Sequence, residues 1–291
     1  MQKTACEFPE WINEFVVDDE VFARAYDAVP DNRRALLKTN IARLFEWYGP
    51  SRRISGREAV AWRGGFDSVQ SSAPADYAVV VFDANLASPA RLLAGVVPPL
   101  ACGVENVLAV RLGGDEWPEP LLTGLELAGQ ELVTDMSLDR VKGMLEEMDA
   151  SGATGVVLGL ELGQGLFRSL RFPTRNIDFI CLECDREAVL WMDTDEPFDL
   201  DGLAFAHPDL SFSVHGAETA LPPEGFRCEG NDFQDFLDSI PEVAYAPASR
   251  VDEVLDRARL VLGPGQEGCW VWPRLRPESF QFQSTAWTIG A

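Results

Sequence analysis

The chain has 291 residues, 46% hydrophobic and 24% charged, the balance of a soluble globular protein with room for one large domain or two ordinary ones. Its formal net charge is -23, and residues 178–242 hold seventeen acids against Arg186 and Arg227 only. A field of that sign repels phosphate backbones and anionic lipid surfaces, which excludes nucleic acid and membrane as partners; the longest apolar run, Leu92 to Val104, is also too short to span a bilayer and contains Pro98 and Pro99.

The opening segment, MQKTACEFPEW, has no apolar run behind Lys3, so no secretory signal is expected and the cytoplasm is the default location. Asp18 or Asp19 is placed to cap a first helix through VFARAYDAV. Pro30 then starts a second helix, DNRRALLKTNIARLFEWYG, in which Leu36, Leu37, Ile41, Leu44, Phe45 and Tyr48 form one apolar stripe. Arg33, Arg34 and Lys38 form a basic face on that helix, expected to be solvated, with docking against the acidic later half of the chain as the alternative. Gly49-Pro50 ends it, and Arg52, Arg53 and Arg57 follow in a basic linker. EAVAWRGG reads as a short helix or strand and FDSVQSSAPAD as a loop.

From Tyr77 to Leu160, short apolar runs alternate with amphipathic runs of helix length: YAVVVF, SPARLLAGVVPPLACG, NVLAVRL, WPEPLLTGLELAG, ELVTDM, SLDRVKGMLEEMDASGA and TGVVLGLEL. This alternation predicts βαβ units and a mostly parallel, Rossmann-like sheet with flanking helices. Ser88-Pro89 and Ser137 are helix starts, while Pro98-Pro99 should bend or end the first helix early. After Gly163, DFICLEC, EAVLWM, LAFAHP, LSFSVHG, GCWVWP and SFQFQSTAWTI read as strands, with NDFQDFLDSI and SRVDEVLDRARLVL as helices: a second, mixed α/β region. The expected division is 1–60 N-terminal helices, 61–165 Rossmann-like domain and 166–291 second domain. No repeat of solenoid period is present.

A parallel sheet takes ligands beyond the carboxyl ends of its strands, and a dinucleotide site there carries G-x-G-x-x-G between strand and helix. The turn after the first strand, DANLASPARL, has no glycine; Asp83, Asn85 and Ser88 are its candidate rim groups. The second turn, GGDEWPEP, puts Gly113 at the rim but follows it with acids that oppose phosphate. The third, GQGLFRSLR, sets Gly163 and Gly165 ahead of Arg168 and is the candidate anion loop, with a plain turn as the alternative. Cys181 and Cys184 have metal-ligand spacing, but no second CxxC or CxxH accompanies them, and on a strand they would face opposite ways; core packing is expected and no metal. The acids of DTDEPFDLDG, residues 193–202, miss the EF-hand spacing and read as a surface loop. His207 and His215, the only histidines, flank a predicted strand pair and are candidate catalytic groups if they meet each other or Asp209.

In SPARLLAGVVPPLACGVENVLAVRLGGDEWPEPLLTGLELAGQELV, the positions of Pro98, Cys102-Gly103-Val104, Val107 to Val110 and Leu127-Ala128-Gly129, together with the arginine-rich lead-in helix, resemble part of the histidinol dehydrogenase branch of the aldehyde-dehydrogenase-like superfamily. The resemblance covers about a third of the chain and consists mostly of packing residues. It implies a dehydrogenase-like scaffold and NAD(P) as a cofactor. The chain departs from the pattern: the G-G-A-Q segment and histidine pair of the zinc-dependent branch are replaced after Glu131 by LVTDMSLDRV. The nucleophilic cysteine that follows a G-Q pair in aldehyde dehydrogenases is matched only by Cys269 in GPGQEGC, one residue further on and 22 residues from the end. Cys269 is therefore a candidate nucleophile whose alternative is a buried thiol.

These features lead to an expected small-ligand or nucleotide-binding protein on a dehydrogenase-like scaffold, without the parent catalysis. The alternatives are an NAD(P)-dependent oxidoreductase acting on an aldehyde or alcohol, and an accessory subunit that docks a basic protein. A homo-oligomer is compatible with each.

Overall fold

The computed structural model describes residues 6–49, 55–114, 116–216 and 222–289; Arg52 and Arg53 of the expected basic linker lie outside them. After a 3₁₀ turn at Glu10–Phe15, helices α1 (Asp19–Ala28) and α2 (Asp31–Tyr48) form as anticipated. The stripe on α2 buries Leu37, Ile41, Leu44 and Tyr48, whereas Phe45 remains exposed.

The next two elements settle one open reading and correct another. EAVAWRGG, readable as helix or strand, lies in strand β1 (Gly56–Trp62), and the segment read as a loop forms strand β2 (Phe66–Pro74), which pairs antiparallel with it. Their polar, two-sided exposure hid the strand signal: no apolar face marks the period of two.

The α/β block follows in order: β3 (Tyr77–Asp83), α3 (Pro89–Cys102), β4 (Asn106–Leu112), α4 (Glu119–Leu127), β5 (Val133–Met136), α5 (Leu138–Ala150), β6 (Gly155–Leu160), α6 (Gly163–Leu170) and β7 (Ile177–Leu182). All neighbours are parallel, in the order β5-β4-β3-β6-β7. The strands are almost continuously apolar because helices cover both faces. Helix α3 continues past Pro98 and Pro99 to Cys102, so the prolines do not end it early. Nearly every residue of it is buried, so packing outweighs the hydrogen bonds that the two prolines delete. β7, which follows residue 165, is the edge strand of this sheet beside β6.

The second region is also a parallel sheet: β8 (Glu187–Met192), α7 (Leu200–Ala206), β9 (Ser211–Gly216), β10 (Phe226–Cys228), α8 (Phe233–Ser239), β11 (Val243–Tyr245), α9 (Val251–Leu255) and β12 (Leu260–Leu262), ordered β10-β9-β8-β11-β12. Two segments depart from the predicted strands. LAFAHP contributes to α7, which Asp199 caps through Gly202 N–H at 2.9 Å, and GCWVWP is irregular. Each half thus has its third, second, first, fourth and fifth strands side by side, one topology used twice without a sequence repeat. One hydrophobic core joins the halves, with Val80 and Phe82 of the first sheet and Leu190, Phe212 and Tyr245 of the second in a single cluster. Strand β13 (Gln281–Ile289) returns to pair antiparallel with β2, so β1, β2 and β13 make a separate three-stranded arm.

Candidate functional site

The chain runs outward from β3 towards β5, and from β6 towards β7. The crevice beyond the carboxyl ends of β3 and β6 is therefore where such a sheet takes its ligand. Here two buried charges occupy it. Arg91, in the first turn of α3, is fully buried, and the side chain of Glu161, directly after β6, is 5% exposed. The Arg91 guanidinium lies 2.8 Å from Glu161 and 3.2 Å from Cys184 Sγ, and also pairs with Asp209. Arg186 completes the group, 3.2 Å from Glu161 and paired with Asp209. Arg186 and Asp209 precede β8 and β9, so the quartet ties the carboxyl edge of the first sheet to the amino edge of the second.

Glu161 has φ 52°, the only positive φ among the described non-glycine residues. A left-handed conformation costs a residue of this type roughly 1–2 kcal/mol and persists where its surroundings over-determine it. Burial pushes the Glu161 carboxyl above its ordinary pKa, opposed by Arg91, the Cys184 thiol and Arg186. Burial alone would lower Arg91, but Glu161, Cys184 and Asp209 together raise it.

The expected rim residues divide. Asp83 and Asn85 form a tight polar turn after β3, with Asn85 N–H donating to Asp83 Oδ1 at 2.9 Å. Ser88, expected at the rim, is buried. Its Oγ accepts from Arg91 N–H at 3.1 Å and donates to the Ala206 carbonyl at 2.6 Å. With that single hydroxyl proton used, the 3.2 Å contact to His207 is one in which Nδ1–H donates to Ser88. His207 is itself fully buried, and burial holds its pKa down at about 3, so the ring is neutral.

His215 lies elsewhere, on β9, with Nε2 3.3 Å from Ser239 Oγ and its ring edge-on to Phe236. The two histidines therefore do not form the pair anticipated, and Asp209 serves Arg91 instead. Cys269 is 5% exposed, and burial pushes its thiol up to about 11. Among the described residues no group of three or more metal-ligating side chains is assembled.

Gly113 and Gly114 take positive φ and wrap Arg111. The Arg111 guanidinium donates to the Gly114 carbonyl at 3.2 Å, and a Cβ at Gly114 would stand 2.9 Å from Arg111 Cζ. Arg111 also holds Asp135 with two bonds, at 2.6 and 3.1 Å, and stacks on Trp117. The double glycine thus serves a side chain of this protein. The G-x-G turn opens α6, leaving Gly163, Gly165 and Arg168 exposed.

Next to the quartet, a cleft that encloses about 80 Å³ opens between the end of β7 and the starts of β11 and β12. Gln164 of the G-x-G turn, Cys184, Leu260, Trp270, Trp272 and Arg274 are among its walls. Cys181 and Cys184 both line it, because Cys184 lies beyond the strand end, where alternation no longer applies. Sequence reasoning missed Arg91, Glu161 and the tryptophans. Arg91 was detectable as the one charge inside SPARLLAGVVPPLACG; nothing local in GCWVWP places Trp270 and Trp272 beside β7.

No family model matches the chain, and no curated sequence is similar to it. Among solved structures, it is similar to a histidinol dehydrogenase from Elizabethkingia anophelis, with 11% identity over 95% of this chain and 77% of that one and a TM-score of 0.57. It is also similar to an aldehyde dehydrogenase from Brucella melitensis biovar abortus 2308, with 10% identity over 93% of this chain and 83% of that one and a TM-score of 0.50. At these identities the likeness is one of fold: the chain shares the architecture of these dehydrogenases as a distant, partial counterpart.

Proposed function

We propose that the protein binds a small molecule in the cleft between its two sheets and performs no thiol or imidazole redox chemistry of its own. The observation that carries this is the separation of reactive groups from open space. Cys269 and His207 are buried, one with its thiol pushed up to about 11 and the other held neutral, whereas the cleft beside Cys184 is reachable from solvent. A nucleophilic cysteine needs a lowered pKa and access, and a general base needs a pKa near the working pH. The enclosed part of the cleft, about 80 Å³, limits the ligand to a small fragment or to one that lies across its open mouth. NAD(P) is the nucleotide form of this reading, with the exposed turn at Gly163, Gly165 and Arg168 beside the cleft.

Thermal shift with a metabolite panel including NAD and NADP tests it. Ligands are expected to raise the melting temperature of the wild type but not of Leu260→Trp, which fills the cleft. Native iodoacetamide labelling should modify the exposed Cys228 and spare Cys269. Aldehyde- or alcohol-dependent reduction of NAD(P), lost in Cys269→Ala, would instead establish the oxidoreductase alternative. The accessory-subunit alternative rests on the acidic stretch 178–242, part of which is engaged internally, Asp199 lying 3.8 Å from Arg33.

A further inference from the structure

An open parallel sheet holds a dinucleotide with the backbone amides of a helix N-terminus, with glycines that let the chain approach the pyrophosphate, and in an open crevice at the switch point. NAD(P) is the cofactor that the resemblance to dehydrogenases implies, and the residues present do not fit it. At the first turn the amino end of α3 is sealed. Pro89 has no N–H, the Arg91 N–H is taken by Ser88, and Pro89 to Leu92 are all buried. The end of α7 lies over this turn, with its Ala206 carbonyl on the Ser88 hydroxyl. The second turn gives its double glycine to Arg111, and α4 opens with Glu119 and Pro120, a negative charge and a missing donor. Arg111 stands at the end of β4, where a guanidinium receives the ribose phosphate of NADP. It is 2% exposed, and Nε and both terminal nitrogens are bound to Asp135 and to the Gly114 and Glu116 carbonyls. The third turn, Gly163 to Gly165, is exposed, but its Gln164 side chain holds the Glu183 carboxylate at 3.1 Å, which sets an acid beside the amides.

The crevice itself holds Arg91, Arg186, Glu161 and Asp209, two cations and two anions. A pyrophosphate there would displace Glu161 from Arg91 and leave a buried carboxylate unpaired. We infer that this chain has exchanged the dinucleotide site of its fold for contacts among its own side chains, with Glu161 and Asp209 as the anions held in it. The ligand class follows, and rests on the small-molecule reading above: the cleft molecule is a non-nucleotide, since the crevice is filled and the cleft encloses only about 80 Å³.

Isothermal titration calorimetry of the full chain with NAD, NADP and ADP tests the exchange. None of the three is expected to give saturable heat up to about 1 mM. Glu161→Gly removes the resident anion and suits the backbone at φ 52°. Acetate, a carboxylate small enough to enter the vacated space, should raise the melting temperature of this variant by about 2–4 °C more than that of the wild type. Saturable binding of any of the three nucleotides by the wild type overturns the inference, whether or not Leu260→Trp abolishes it. Equal acetate shifts in variant and wild type overturn the place of Glu161 as the resident anion. If Glu161→Gly does not fold, the wild-type titrations still decide. A metabolite panel without any ligand sensitive to Leu260→Trp sinks the small-molecule reading instead, and the nucleotide titrations then judge the crevice by themselves.

Discussion

The Arg91 guanidinium meets the Glu161 carboxylate at 2.8 Å in the crevice that an open parallel sheet would leave for a ligand. Neither charge is free to leave the other. Asp209 and Arg186 lock the pair from the second sheet, so the contact is also the polar seam between the two halves of the molecule.

Removing one partner leaves a buried charge uncompensated. Arg91→Met is expected to destabilise the fold by about 3–5 kcal/mol in denaturant titration, and the double variant Arg91→Met with Glu161→Gln to recover part of that loss. A cost below about 1 kcal/mol for the single variant would mean that the quartet does not hold the halves together.

His207 makes stability depend on pH. Its folded pKa, about 3, lies below its ordinary value of 6.5, so between these values the unfolded chain binds a proton that the native protein does not. Stability is then full above pH 6.5 and falls as pH drops towards 3, by up to about 1.4 kcal/mol per pH unit from this one group. Unfolding free energy measured from pH 7 to pH 4 should show that slope in the wild type and a shallower one in His207→Gln. Parallel curves for the two proteins would rule out the buried neutral ring.

The three-stranded arm lacks a covered face. Trp287 is 73% and Ile289 90% exposed, and Phe66 stacks on Trp62 and meets Trp287 at a tilt. A small sheet without a buried face is marginal in water. β13 carries no charged residue, so two copies of this acidic chain can approach along it without repulsion. Light scattering is expected to give twice the chain mass, and Trp287→Ser with Ile289→Lys to give the monomer. A wild-type monomer at micromolar concentration would refute self-pairing of the arm.

The parallel sheet from Tyr77 onward was readable because its strands are buried on both faces and its helices carry local start signals, Ser88-Pro89 and Ser137. Of the arm, SFQFQSTAWTI was legible as a strand, but β2 was read as a loop and the pairing of the three strands was not legible, since strands exposed on both faces give no buried side to match. α7 was misread because the short apolar run LAFA does not distinguish a short helix from a strand. The histidine pairing failed for a different reason: eight residues of separation say nothing about which layer each ring enters.

Composition and periodicity by themselves determined the α/β class, the helix starts and the burial of the core strands, because each depends on neighbours within a few turns. Only the tertiary structure decided that the crevice is filled by Arg91 and Glu161, that the double glycine wraps Arg111, and that Trp270 stands beside Cys184. The first and last join residues 70 and 86 positions apart, and the glycine wrap turns on the path of a single loop. Long-range packing, with the burial and charge pairing it enforces, selects them from many partners that the local pattern leaves equivalent.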